Sequence, residues 1–213
     1  MLSRLRERGD TLIEVLFAVS VFSFVVVGAL VLMNQGTAAS QRSLEITLVR
    51  QQIDAQAEVL RYMHDSYVAV YHPGITFDTN DVETSPAEEW YKMITDVQAA
   101  GATAASTFSV NSQDCPAFPP NAFVVDPLNA RYVNDPTTLQ PATTFAQVTH
   151  DDSDVFTGSQ GLWVEAIRSA PSADADQSNT GFVDFHIRAC WPGTGLPVAA
   201  TQGTIVRLYE PRG

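Results

Sequence analysis

The chain has 213 residues, a hydrophobic content of 45%, 12 prolines and a formal net charge of -12. That length and composition suit one folded, loop-rich domain with a real core and exclude a wholly disordered chain. The acidic balance argues against general binding to nucleic-acid phosphates, which needs clustered Lys and Arg.

The first element is a short basic leader, Met1–Gly9, holding Arg4, Arg6 and Arg8. An apolar run follows, and within Leu12–Met33 the only ionisable side chain is Glu14. About 22 residues at about 1.5 Å each give a helix of about 33 Å, close to a bilayer core. A simple anchor with its positive leader inside is one reading. A secretory signal peptide cut after Thr37-Ala38-Ala39, before Ser40, is another. The run is long for that, and Glu14 interrupts what should be purely apolar.

A third reading rests on the string Gly9-Asp10-Thr11-Leu12-Ile13-Glu14-Val15-Leu16, with its basic leader and apolar sequel. It resembles the class III signal of type IV prepilins. The resemblance implies cleavage by a membrane prepilin peptidase between Gly9 and Asp10, and N-methylation of Asp10 by the same enzyme. Asp10 departs from the apolar residue usual at that place in the family. Glu14 becomes the fifth residue of the mature chain, matching the family's assembly glutamate. The physics agrees: a carboxylate in low dielectric needs a partner, and the new amine of an adjacent subunit can supply one.

Beyond Asn34-Gln35-Gly36 the helical pattern resumes. Leu44, Leu48, Ala55, Val59 and Met63 recur at helical intervals, with a polar gap at Gln52. No proline falls in Ser40–Val70, and His72-Pro73-Gly74 is a stop signal. The prediction is one helix from about Thr11 to about Val70, with a membrane or assembly half over 10–34 and an amphipathic half over 35–72.

Residues 73–213 form the predicted head. Ser85-Pro86-Ala87-Glu88 reads as a capping box, so a helix should run over 86–100 with Trp90, Ile94 and Val97 inward and Gly101 as its stop. Phe108–Val110, Ala122–Val125 and Arg131–Val133 are short strand candidates among many prolines. Leu162–Arg168, Gly181–Trp191 and Thr204–Tyr209 are stronger. In the middle one, Val183, Phe185, Ile187, Ala189 and Trp191 share an inner face, and Asp184, His186, Arg188 and Cys190 an outer one. Such an order favours an antiparallel meander covering the second half of the helix. The predicted class is therefore α+β, a pilin-like long N-terminal helix packed on an antiparallel β-sheet head.

Cys115 and Cys190 both follow the apolar segment. Neither sits in a CxxC, and in an exported domain an isolated pair reads as one disulfide. It would staple the proline-rich stretch across the outer face; the pilin resemblance also implies a disulfide near the C-terminus. Asp151, Asp152 and Asp154 read as a solvated acidic turn, with calcium as the alternative, although EF-hand spacing is missing. No HExxH, nucleophile elbow, Walker loop or dinucleotide fingerprint occurs. Neither a catalytic residue nor a metal or cofactor is therefore expected.

The resemblance implies a structural, minor subunit of a type IV pilus. Its expected partners are other pilin subunits, the prepilin peptidase and the inner-membrane assembly platform, with no nucleic acid. The expected location is the cytoplasmic membrane before assembly and the cell surface after. The alternatives are a pseudopilin of a type II secretion system and a membrane-anchored binding protein that never polymerises.

Overall fold

The computed structural model describes residues 10–72, 74–77, 84–102, 104–106, 114–169 and 181–211. The expected strand Phe108–Val110 lies outside them. The first element, α1 (Asp10–Val70), runs unbroken through Asn34-Gln35-Gly36. Residues 1–44 and 45–213 form two separate compact units. In the first, α1 is exposed on all sides over its apolar run, with Leu12, Phe17 and Phe24 at 64%, 70% and 80% exposure.

The second unit holds the core. Val49, Ile53, Gln56, Leu60 and Met63 are its fully buried residues on α1. Their spacing of four, three, four and three is the helical repeat itself. This corrects the expected stripe: Leu44 is exposed, Leu48 and Ala55 are half-buried, and Met63 and Val59 remain buried. The sequence pattern misleads because the stripe passes through a glutamine. Gln56 donates from Nε2 to the Val125 carbonyl at 2.5 Å and accepts the Val125 N–H at 2.9 Å. It replaces the neighbouring strand that Val125 lacks on that side, so its burial leaves neither amide group unpaired.

The second helix, α2 (Pro86–Ala100), starts on the full capping box, with Ser85 and Glu88 bonded reciprocally, and ends on Gly101 in the left-handed region. Trp90, Met93 and Val97 are buried, and Ile94 packs at the edge of the core. Glu89 is also buried. It takes the Tyr132 N–H at 2.8 Å and the Thr84 hydroxyl, which ties α2 to a strand.

Among the described residues, three small sheets replace the single antiparallel one expected. The strands β1 (Val124–Asp126) and β2 (Arg131–Val133) form a hairpin. The strands β3 (Leu139–Gln140), β4 (Gln147–His150) and β5 (Phe156–Gln160) form a mixed sheet in which β3 runs parallel to β5. The largest sheet is an antiparallel meander of β6 (Leu162–Ser169), β7 (Phe182–Pro192) and β8 (Ala199–Tyr209) in sequence order. The fold is α+β with a long N-terminal helix, but its sheets are antiparallel and mixed. The strands β3 to β5 escape sequence reading because Gln147–His150 and Phe156–Gln160 lack a clean alternation of apolar and polar residues.

The inner face of β7 is as expected: Val183, Phe185, Ile187, Ala189 and Trp191 are all buried. The outer face is not. Arg188 and Cys190 are buried too, while Asp184 and His186 are half-buried. The end of β7 is therefore covered on both faces, and Cys190 does not project from a solvated surface.

Candidate functional site

In the first unit, Glu14 is an exposed side chain near the start of α1. The hydroxyls of Ser20 and Ser23 are turned back to the carbonyls of Leu16 and Val19, at 2.7 and 2.8 Å. Those two polar groups are satisfied within the helix and need nothing from outside it. Glu14 is the remaining ionisable side chain of the run, so the outward surface over Leu12–Met33 is apolar with one acid near its beginning. Among the described residues α1 is the helix long and apolar enough to cross a membrane. Asp10 is its first residue. Gly9 lies outside the described residues.

In the second unit, Cys115 and Cys190 are bonded, with Cα atoms 5.7 Å apart. The bond holds the segment that follows Asp114 against the outer face of β6 and β7. Phe118 packs edge-on to Trp163 at 5.3 Å. Trp163 is 1% exposed and so belongs to this second, smaller layer rather than to a ligand surface. Gly161, at φ +65°, joins β5 to β6, and a Cβ there would collide with the Cys190 carbonyl. Its N–H donates to the Gln140 carbonyl at 2.7 Å, and its carbonyl accepts the Cys190 N–H at 2.8 Å. Only glycine fits that turn.

Beneath this cover lies an ion pair that the sequence reading missed. Arg188 Nη1 is 2.9 Å from Glu165 Oε1, with both side chains nearly buried. Glu165 also accepts the Ser106 N–H and hydroxyl, each at 2.8 Å, and the Trp163 indole N–H at 3.2 Å. Arg188 donates to the Ser106 carbonyl at 2.8 Å. The available signal was Glu165 set between Trp163 and Ile167 on one face of a strand whose other face carries Leu162, Val164 and Ala166. That pattern signals a covered face only once something is known to lie over it.

A second missed pair joins the two smaller sheets. Asp126, 1% exposed, accepts from His150 Nε2 at 2.8 Å, Asn129 Nδ2 at 2.8 Å and the Leu128 N–H at 3.0 Å. Burial alone would raise its carboxyl, but these hydrogen bonds outweigh it and hold the group below the ordinary range. A depressed carboxyl stabilises the fold above its unfolded value, about 3.9, and that contribution is lost as pH falls through the native value. The stability gap between the native protein and Asp126→Asn, measured by denaturant unfolding, is expected to be open at neutral pH. It should close progressively below about pH 4. A gap independent of pH would assign the role of Asp126 to shape rather than charge.

The acidic turn Asp151-Asp152-Ser153-Asp154 links β4 to β5. Asp151 Oδ1 accepts the N–H groups of Ser153 and Val155 at 2.8 and 3.0 Å, and Asp154 adopts a left-handed φ of 60°. The Asp151 carboxylate thus shapes the turn. Among the described residues no group of three or more His, Cys, Asp and Glu is placed to hold a metal ion.

Compared with known proteins, the chain matches no protein-family model, no curated protein and no solved structure.

Proposed function

We propose that this chain is a structural, minor subunit of a type IV pilus or related filament, cut after Gly9 and assembled through its N-terminal helix. The observation that carries the proposal is Glu14: a single acid near the start of an exposed apolar helical run, five residues beyond Gly9. Cleavage would place a positive amine on Asp10, one helical turn from Glu14. In a bundle of such helices the carboxylate of one subunit meets the amine of another, and an acid that is costly in low dielectric sets the register. The Asp10 carboxylate competes for the same amine, which suits a subunit that is sparse rather than repeated along a filament. The disulfide-bonded head fits an exported domain. Its acidity leaves nucleic acid outside the proposed partners, which are other pilin subunits, the prepilin peptidase and the assembly platform.

The test is the intact mass and N-terminal sequence of the native protein. A start at Asp10 is expected, with or without a methyl group. A start at Ser40 would assign an ordinary signal peptide, and an intact Met1 leader a plain membrane anchor; either overturns the proposal.

A further inference from the structure

The outer strand of the large sheet has one used edge and one open edge. Glu210 donates its N–H to the Gly181 carbonyl at 2.9 Å. The register then runs without a slip from Phe182 opposite Tyr209 to Pro192 opposite Ala199. In an antiparallel ladder the bonding direction alternates along the strand. The even-numbered residues of β8 therefore turn N–H and C=O towards β7. The odd-numbered ones, including Thr201, Gly203, Ile205, Arg207 and Tyr209, turn theirs to the opposite edge. Among the described residues no other strand pairs with that edge, but the Tyr209 carbonyl at its end already accepts from His64 Nε2 of α1 at 2.9 Å, so the open stretch runs from Thr201 to Arg207. Gly203, Ile205, Arg207 and Tyr209 are all exposed, Ile205 at 59%.

Proteins usually blunt such an edge with proline, lysine or a bulge. Ala199–Tyr209 contains none of the three. Its one charge, Arg207, is already balanced: both Nε and Nη2 donate to the Asp184 carboxylate at 2.7 Å. His186, opposite Ile205 on β7, adds little positive charge at neutral pH, because burial and then Arg188 lower its pKa. From Ala199 to Arg207 the edge strand carries no unbalanced charge on a chain of net charge -12, so two copies can approach at Ile205 without opposing acidic side chains of β8.

We infer that β8 is a docking edge for a second copy of this chain, paired antiparallel about a two-fold axis at Ile205. In that register Ile205 meets its own copy, Thr201 meets Tyr209, and Arg207 meets Gly203, so no like charges face each other. The outward N–H groups of Gly203, Ile205, Arg207 and Tyr209 gain acceptors, while the Tyr209 carbonyl keeps its bond to His64. The two exposed isoleucines cover each other as a cross-strand pair. Two strands related in this way point in opposite directions, whereas neighbours in one helical filament share a direction. The contact therefore links free subunits or the heads of separate filaments, and it does not depend on where the leader is cut.

The full-length chain in detergent, carrying Ile205→Cys, tests this. The two native cysteines are bonded to each other, so the new thiol is the one free thiol. Facing residues in a bonded antiparallel pair lie at about 5.5 Å between Cα atoms, within disulfide reach. Under mild oxidation Ile205→Cys should give several-fold more disulfide dimer than Leu128→Cys, an equally exposed control on the head. The control absorbs any association through the apolar helix. In the unmodified chain, amide exchange at 203, 205, 207 and 209 should slow as protein concentration rises, with no such change at the even positions between them. Dimer yields that are equal or absent overturn the inference, as does protection of the outward amides that appears only when another protein is added.

Discussion

Arg188→Ala is expected to destabilise the head by about 3–5 kcal/mol, because it leaves the Glu165 carboxylate buried without its balancing charge. Glu165→Leu should cost more. It removes the acid facing Arg188, and it also strips the Ser106 N–H and the Trp163 indole N–H of their acceptor. The double variant Glu165→Leu/Arg188→Met should be less damaged than Glu165→Leu alone, since an apolar pair carries no uncompensated charge. Denaturant unfolding of the full chain in detergent, followed by tryptophan fluorescence, reads all three, with Trp163 lying directly on the network. Equal losses in the single and double variants would show that packing, and not charge balance, sets the stability of this layer.

The disulfide is expected to have an effect of similar size. It closes a sequence separation of 75 residues, which corresponds to about 4 kcal/mol of chain entropy removed from the unfolded state. Its loss also frees Cys115 and the neighbouring Phe118 from the outer face of β6 and β7. Cys115→Ala/Cys190→Ala should therefore unfold at markedly lower denaturant than the native protein, and reduction should reproduce most of that loss. Trp163 fluorescence should shift red as Phe118 releases its indole to water. An unchanged midpoint with an unchanged spectrum would mean that the segment after Asp114 is held by packing alone.

These two predictions concern the same place; the cysteine pair marks it along the chain, but the buried ion pair beside it is not visible there. Cysteine chemistry is local: an isolated pair downstream of an apolar leader has few other outcomes in an exported domain. The face on which Cys190 lies is not local. Strict alternation in β7 puts Asp184, His186, Arg188 and Cys190 together, and alternation normally marks such a face as solvated. The structure covers its far end because Cys115 is drawn to it from 75 residues away, bringing Phe118 against Trp163, while Ser106 closes over Glu165 and Arg188. The same limit explains Gln56. A glutamine in an apolar stripe looks like a gap until the Val125 backbone is found opposite it.

The elements that sequence determined by itself are those whose signal lies within a few residues. The α1 helix has an unbroken proline-free run. The α2 helix has Ser85, Pro86, Glu88 and Gly101 at their capping positions, and β7 has five inward apolar residues at a spacing of two. The isolation of Glu14 in its apolar run is likewise a property of the chain alone. Tertiary structure decided what depends on the distant partner: which stripe of α1 is buried, the short strands β3 to β5, the mixed sheet, and the covered outer face. Helical hydrogen bonds, caps and side-chain periodicity act over one or two turns, so the sequence carries them directly. Burial of a polar group is settled largely by what reaches it from elsewhere in the chain, and for Gln56, Asp126, Glu165 and Arg188 the distant partners lie between 23 and 82 positions away.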